Sequence, residues 1–340
     1  MNNRATKTTV GVVFGGANSE HEVSCSSAQG VVANLDRSRF DLALLKIGRD
    51  GLWNRVERVE DDTVGGTPLP DLGGLDVVLP VLHGRFGEDG TVQGLLELVG
   101  IPYVGCGVLS SALAMDKLMA QNVLAAAGLP TVTSFGVTAR TRGAAADAAE
   151  GLGYPVFVKP NRAGSSVGVS RVDGPAELEA AVDLALASDS TALLQPLMVA
   201  EEIDLAVLQR VDGELVVGEP LHILTAQGSA FFDYAAKYTD GGHEFEIPAK
   251  ISDELRARLE GLAISAFRTL DCEGLARVDF FVSADGSVAI NEVNTMPGMT
   301  ALSQFPTIWQ ASGVGYSELL SMLVERALAA RPARSRSAAR

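Results

Sequence analysis

The sequence predicts an α/β domain built on a parallel sheet, followed by two α+β units. Three observations lead there. Apolar strand-like runs alternate with helical stretches up to about residue 105. The alternation then gives way to short β-rich runs. The last of these runs ends in a hairpin signal.

The chain has 340 residues, 47% hydrophobic and 20% charged, an ordinary globular composition long enough for two or three domains. A formal net charge of −15 disfavours nonspecific nucleic-acid binding and anionic membrane surfaces. Any site for phosphates must therefore be built locally from Lys, Arg and backbone amides. Cys25, Cys106 and Cys272 are widely spaced with no CxxC, so neither a zinc site nor a disulfide framework follows. The first residues lack a signal-peptide core and no apolar run reaches transmembrane length. A reducing, cytoplasmic location is expected.

Element by element, "TTVGVVFGG" reads as a buried strand ending in glycines and "SEHEVSCSSAQGVVANL" as a helix. Next come the strands "FDLALLKI" and "LDVVLPVLHG" and the helix "TVQGLLELVG". In α/β sheets ligand-binding groups gather at the carboxyl ends of strands, which here carry "GGANSEHE" and "HGRFGEDG". A domain spanning 1–105 is expected. A second unit, 106–197, opens with one helix over "SSALAMDKLMAQNVLAAAGLP", stopped by Gly128 and Pro130. It continues with "YPVFVKP", "GVSRV", the helix "PAELEAAVDLALAS" and the strand "TALLQPL". A third unit, 198–330, holds "IDLAVLQRV", "LVVGEPL", a glycine-flanked loop, the helix "ISDELRARLEGLAISAFRTL" and the hairpin. Residues 331–340, basic and without large apolar side chains, read as a disordered tail.

The hairpin "LARVDFFVSADGSVAINEVN" carries the sharpest chemical signal. If Asp285 and Gly286 form a two-residue turn, Phe281 faces Ile290, Asp279 faces Glu292 and Arg277 faces Asn294. Two carboxylates then oppose each other on one face, which destabilises a sheet unless something compensates. Asp, Glu and Asn without His or Cys point to a hard divalent cation such as magnesium. The bland alternative is a solvated face with Arg277 neutralising one acid.

Four loops add to this. In "VKPNRAGSSVGVS" a strand delivers Lys159 to a Gly/Ser-rich turn whose amides could cradle phosphate, although Ser165 and Ser166 could equally be turn residues. In "GGANSEHEVS", Ser19 and Glu22 fit a capping box, and Glu20 suits either the first helical turn or a substrate ammonium group. In "LHGRFGEDG", His83 with an Arg and two acids among glycines could grip a ligand. "FFDYAAKYTDGG" has the composition of a lid that excludes water. Lys117, on a helix, would by default be solvated.

These motifs, with "AMDK" and "NEVNTMPGMT", occur in an order that resembles the D-alanine–D-alanine ligase family of ATP-grasp enzymes, from about residue 10 to about 325. The resemblance implies two α+β domains forming an ATP-grasp fold, with ATP held between their sheets. It assigns Lys117, Lys159, Ser166, Gln195, Glu202 and Phe231 to ATP, with Glu202 at the ribose. Asp279, Glu292 and Asn294 become the ligands of two Mg²⁺ (or Mn²⁺) ions. Arg277 and the Gly298 amide would stabilise the tetrahedral intermediate. Glu20, Ser165 and Tyr238 would form a hydrogen-bonded trio over the substrates. His83, Lys237 and Ser303 would contact substrate or the transferred phosphate.

The implied reaction joins two D-alanines at the expense of ATP, through a D-alanyl phosphate, for peptidoglycan precursors. A homodimer is implied as well. Three positions depart from the family pattern. Gln195 stands where Glu is common, Phe232 where Tyr is common, and Gln304 where an apolar residue is common. Gln304 keeps a D-alanine–D-serine ligase open as an alternative. A nucleotide-binding protein with a dead site is disfavoured by retention of Arg277, the metal-ligand set and both lysines. "GGANSEHEVS" and "NTMPGMT" disfavour a biotin-carboxylase-like enzyme.

Overall fold

The computed structural model describes residues 7–63, 65–164, 168–225 and 243–337. The first sheet has the order β3-β2-β1-β4. Its strands are β1 (Thr8–Gly15), β2 (Phe40–Ile47), β3 (Trp53–Val56) and β4 (Val77–Pro80). β1 runs parallel to β2 and β4, and β3 is an antiparallel edge. β1 is buried from Val10 onward, as a central parallel strand covered on both faces must be. Helices α1 (His21–Asn34) and α2 (Thr91–Val99) follow the carboxyl ends of β1 and β4, where the two glycine-rich loops lie.

The single helix expected over 110–130 is two helices, α3 (Val108–Met115) and α4 (Lys117–Ala126). Asp116 breaks it. Its backbone is extended (φ −85°, ψ 92°) and its Oδ1 caps α4 by accepting from the Met119 amide at 3.1 Å. Asn161 Nδ2 (2.7 Å) and Arg162 Nε (2.9 Å) donate to the same carboxylate, so Asp116 ties α4 to the chain after the next sheet's strand.

The middle sheet joins β5 (Phe135–Thr138), β6 (Val156–Pro160), β7 (Ser170–Val172) and β8 (Thr191–Pro196) in the order β5-β8-β6-β7. Val156, Val158, Ala192 and Leu194 share a core with α5 (Ala145–Leu152) and α6 (Pro175–Ser188). Side chains alternate along a strand. Phe157, Lys159, Leu193 and Gln195 therefore occupy the face turned away from those helices, with Phe157 opposite Gln195 and Lys159 opposite Leu193.

The third sheet contains β9 (Ala200–Gln209), β10 (Leu215–Val217), β11 (Leu221–Thr225), β12 (His243–Glu246), β13 (Leu275–Ser283) and β14 (Val288–Asn294). Its order is β12-β11-β9-β13-β14, with β10 on β9. Helix α7 (Asp253–Thr269) buries Leu259, Ala263, Ala266 and Phe267 in a core with Ile203, Leu205, Val207, Val278 and Phe280. Glu202, Asp204, Arg277 and Asp279 alternate with those residues and take the opposite face.

The hairpin register differs from the two-residue-turn expectation in an instructive way. Ser283 pairs with Ser287, so the turn spans 284–286, with Gly286 at φ 81°. Phe281 faces Ala289, not Ile290. A bulge then shifts the register between Asp279 and Phe280 and restores Asp279 opposite Glu292 and Arg277 opposite Asn294. The bulge is held from outside. Gln121 Nε2 on α4 donates to the carbonyls of Ile290 (3.0 Å) and Asn291 (2.6 Å), and the Ile290 amide donates to the Pro130 carbonyl (2.9 Å).

The cores cut across the expected boundaries. Cys106, Ala120 and Leu124 belong to the core of the third sheet, while Leu118 of α4 lies against Gly136 of β5 in the middle sheet. Helices α8 (Gln304–Ala311) and α9 (Tyr316–Ser337) close over the first sheet: Phe305, Trp309, Leu319 and Leu323 share one core with Val10, Val12 and Phe14. The segment from 331, expected to be a disordered tail, continues α9 as far as Ser337. Among the described residues no helix is long and apolar enough to cross a membrane.

Candidate active site

The polar face of β9, β13 and β14 carries the densest chemistry. The Arg277 guanidinium forks onto Asp279, with Nε to Oδ1 and Nη2 to Oδ2 both at 2.7 Å. Its Nε also lies 3.6 Å from Asp204 Oδ2. Burial opposes the charge on Arg277, but Asp279, then Asp204 and Glu292, more than compensate, and its pKa rises above the ordinary value. Asn294 Nδ2 donates to Asp279 Oδ2 at 2.9 Å. Glu292 meets Lys117 Nζ at 3.4 Å, and that ammonium donates to the Ala163 carbonyl at 3.0 Å. The Asp116 break aims Lys117, the first residue of α4, into this site. It is 14% exposed, not the solvated surface lysine of the default reading.

Carboxylate oxygens of Glu202, Asp204 and Asp279 lie within 4.8 Å of one another. An all-oxygen set of this kind fits a hard divalent cation. Of the expected ligands, Asp279 is in the cluster, Glu292 stands across from it and Asn294 is bonded to it. Glu202, which the resemblance places at the ribose, lies within the cluster. Asp204 escaped the sequence reading. Its signal was present in "EID": residues two apart on a strand share a face. Asp204 is fully buried, and Gln304 Nε2 donates to its Oδ2 at 2.7 Å.

A second group gathers where the first sheet meets the glycine loop after β6. Glu20 is the N-cap of α1 but makes no side-chain cap, and Glu22 pairs instead with Arg49 at 2.6 Å, so the capping box does not form. The Glu20 carboxylate fills the space between two loops. A methyl group added at Gly84 would lie 2.0 Å from Glu20 Oε2, and one at Gly164 would lie 2.8 Å from Oε1. Gly84 also sits at φ 69°, a conformation that suits glycine. Asn18 Nδ2 pins the same loop by donating to the carbonyls of His83 (2.8 Å) and Arg85 (2.7 Å). Glu88 and Asp89 turn inward: the Gly84 amide donates to Glu88 at 2.6 Å and the Phe86 amide to Asp89 at 2.8 Å. These bonds shape the loop from within. Burial, reinforced by the charge of Glu20, raises the Glu88 pKa to about 8.

The His83 ring is tied to two other segments of the chain. Burial lowers its pKa to about 4, against a ring hydrogen bond to the Met296 carbonyl that favours the proton. The neutral ring therefore donates to Met296, and its Nε2 accepts from Ser27 Oγ at 2.9 Å. Ser27 Oγ in turn accepts from the Met299 amide at 3.2 Å. The Tyr316 hydroxyl donates to the Met299 carbonyl. A methyl at Gly30 of α1 would lie 2.4 Å from that same carbonyl oxygen. The loop that carries Gly298 is thus fixed from α1, from the end of β4 and from α9. The resemblance gives His83 to the substrate; in the structure its ring also braces this loop. Ser303 lies beside Gly298 and shares a 2.7 Å hydrogen bond with Thr300.

A pH prediction follows from His83. Its folded pKa lies below the unfolded value, so its contribution is complete above pH about 6.5 and is lost as pH falls toward 4. Denaturant titrations of wild type and His83→Gln are expected to differ by an amount that shrinks by about 3 kcal/mol across that window. Parallel curves would remove His83 as the titrating group.

Gln195 is buried on the middle sheet, with its Nε2 donating to Ser134 Oγ at 2.8 Å. Lys159 shares its face. Ser165, Ser166, Phe231, Lys237 and Tyr238 lie outside the described residues, as does the departure at Phe232.

Comparison with known proteins gives the family. A family profile described as D-ala D-ala ligase N-terminus matches residues 9–106, and one described as D-ala D-ala ligase C-terminus matches 118–325. A D-alanine–D-alanine ligase of Corynebacterium aurimucosum is 45% identical, over 94% of this chain and 97% of its own length. One from Nocardia farcinica is 43% identical, over 94% and 97%. The solved D-alanine–D-alanine ligase of Coxiella burnetii superposes with a TM-score of 0.86 at 30% identity, covering 98% of both chains. The Bacillus anthracis ligase complexed with ATP gives 0.79 at 31%, covering 97% of this chain and 99% of its own. The VanG D-Ala:D-Ser ligase of Enterococcus faecalis gives 0.82 at 35%, covering 95% and 100%. With both profiles matched and whole-length relatives above 40% identity, the chain belongs to the D-alanine–D-alanine ligase family.

Proposed function

We propose that the protein is an ATP-dependent ligase that joins two D-alanines into D-alanyl-D-alanine for peptidoglycan precursors in the cytoplasm. The observation that carries this reading is the Arg277–Asp279–Asn294 face, ranged with Lys117 and Glu292 and with the clamped loop that holds Gly298.

The reaction has two displacements. A carboxylate oxygen of the first D-alanine attacks the γ-phosphorus of ATP, the bond to ADP breaks, and an acyl phosphate forms. The amine of the second D-alanine then attacks the acyl carbon, a C–N bond forms, and phosphate leaves with the electron pair of the C–O bond. Lys117 and Lys159 offset phosphate charge, and Gln195 and Glu202 hold the adenine and the ribose. Asp279, with Glu292 and Asn294 and with Glu202 and Asp204 at hand, would hold two Mg²⁺ or Mn²⁺ ions. Those ions supply Lewis acidity toward the phosphoryl oxygens when bound. Arg277 and the Gly298 amide donate to the oxyanion that develops at the acyl carbon, and Ser303 meets the second substrate's carboxylate. Glu20, placed between two glycine loops, orients the first substrate's ammonium group. Ser165, Ser166, Phe231, Lys237 and Tyr238 complete the site from the glycine loop and the lid segment, and water exclusion there protects the acyl phosphate. The working unit is a homodimer.

A second reading has one observation behind it. Gln304, beside Ser303, is polar and bonded to Asp204, and one structural neighbour is a D-Ala:D-Ser ligase. Phosphate release from Mg·ATP with D-alanine, alone and with D-serine, separates the two when products are identified by mass spectrometry. Phosphate matched by D-alanyl-D-alanine is the expected result. Preference for the mixed dipeptide would move the second subsite to D-serine. No D-alanine-dependent phosphate would overturn both.

A further inference from the structure

We infer that Ser134 is a positioning residue that locks the Gln195 side-chain amide, so that its oxygen and not its nitrogen faces the nucleotide base, which selects adenine over guanine. This rests on the placement of adenine at Gln195 given above.

A serine hydroxyl has one proton. Ser134 Oγ donates it to the Val132 carbonyl at 2.9 Å. Toward Gln195 it can only accept, so the amide must present Nε2 there, as it does at 2.8 Å. Oε1 is then committed to the other side. Turning the amide over would set oxygen against oxygen or break the Val132 bond. Gln195 is 4% exposed, so water cannot stand in for the lost contact. The side chain shares its face with Lys159 and is turned away from the α5 and α6 core.

The consequence is chemical. The exocyclic amine of adenine donates a hydrogen bond, whereas guanine presents a carbonyl oxygen at the same ring position. An acceptor facing the base rewards the first and repels the second. A glutamate would do this unaided, since both its oxygens accept. A glutamine does so only when something fixes its rotation, and Ser134 fixes it.

The test measures ADP and GDP affinity by calorimetry on the full chain, in wild type, Ser134→Ala, Ser134→Thr, Gln195→Glu and the Ser134→Ala/Gln195→Glu double variant. Ser134→Ala is expected to lower the ADP:GDP preference roughly three- to tenfold, the worth of one neutral hydrogen bond. Ser134→Thr is expected to restore it. In the Gln195→Glu background, Ser134→Ala is expected to leave the preference unchanged, because a carboxylate needs no orientation. An unchanged preference in Ser134→Ala with normal ADP binding would overturn the inference and leave the nucleotide site standing. An equal loss in both backgrounds would overturn it too, making Ser134 merely structural. Failure of wild type to bind ADP would overturn the adenine placement and the inference together.

Discussion

Arg277→Ala is expected to lower the rate of dipeptide formation by a hundredfold or more while ADP binding persists. The guanidinium is a preorganised donor, and losing one such donor at an oxyanion typically costs about a hundredfold to a thousandfold. It is also the cation that neutralises Asp279 and, 3.6 Å away, Asp204, both buried. Removing it leaves two buried acids without their partner, so about 3–5 kcal/mol of stability is expected to go with the activity. Arg277→Lys separates the two effects. It restores a charge near Asp279 and part of the stability, but a single ammonium cannot make the two parallel 2.7 Å contacts, so the rate stays low. The check is kcat beside a denaturation midpoint for both variants. Turnover near wild type in Arg277→Ala would remove Arg277 from the chemistry.

Asp279→Asn carries the second largest effect. Asp279 is the meeting point of the Arg277 fork, the Asn294 amide and the carboxylate cluster. Neutralising it is expected to raise the Mg²⁺ concentration for half-maximal rate tenfold or more. The maximal rate should fall about a hundredfold, in line with the several kcal/mol of transition-state charge that bound metal stabilises. Direct Mn²⁺ binding, followed by its paramagnetic resonance, gives a readout independent of turnover. Running Glu292→Gln and Asp204→Asn beside it decides between the two donor sets. If Glu292→Gln weakens Mn²⁺ and Asp204→Asn does not, the metal ions sit on the hairpin and Asp204 serves as an anchor for Arg277. An unchanged Mn²⁺ affinity in Asp279→Asn would place the ions elsewhere.

Much of the architecture was legible because it is local. Short apolar runs and bounding turn residues located β1, β2, β6, β8 and β13, and Pro175 located the start of α6. The polar face of the hairpin was legible for the same reason. Its register came out right at Asp279 for an incomplete reason, since a longer turn and a bulge cancel, and the bulge is fixed by Gln121 and Pro130 far away in sequence. Misreadings share that origin. "AMDKLM" has helical periodicity on both sides of Asp116, and only Asn161 and Arg162 reveal the break. Ser19 and Glu22 have capping-box spacing, but Glu22 found Arg49. For His83 the sequence offered only a ligand-binding role, and its bonds to Ser27 and Met296 add a structural one. Spacing reports which groups could act; partners brought from other segments decide which of them are free to do so.

The loop around Gly298 is held by Ser27 and Gly30 near the start of the chain and by Tyr316 near its end. The first sheet's core is likewise closed by Phe305, Trp309 and Leu319. Synthesis runs in one direction, so Val10, Val12 and Phe14 leave the ribosome long before the helices that cover them exist. A nascent chain halted before α8 presents an uncovered apolar sheet and has no set reaction loop. Covering the first sheet and setting the Gly298 loop are therefore completed together, by the same late helices.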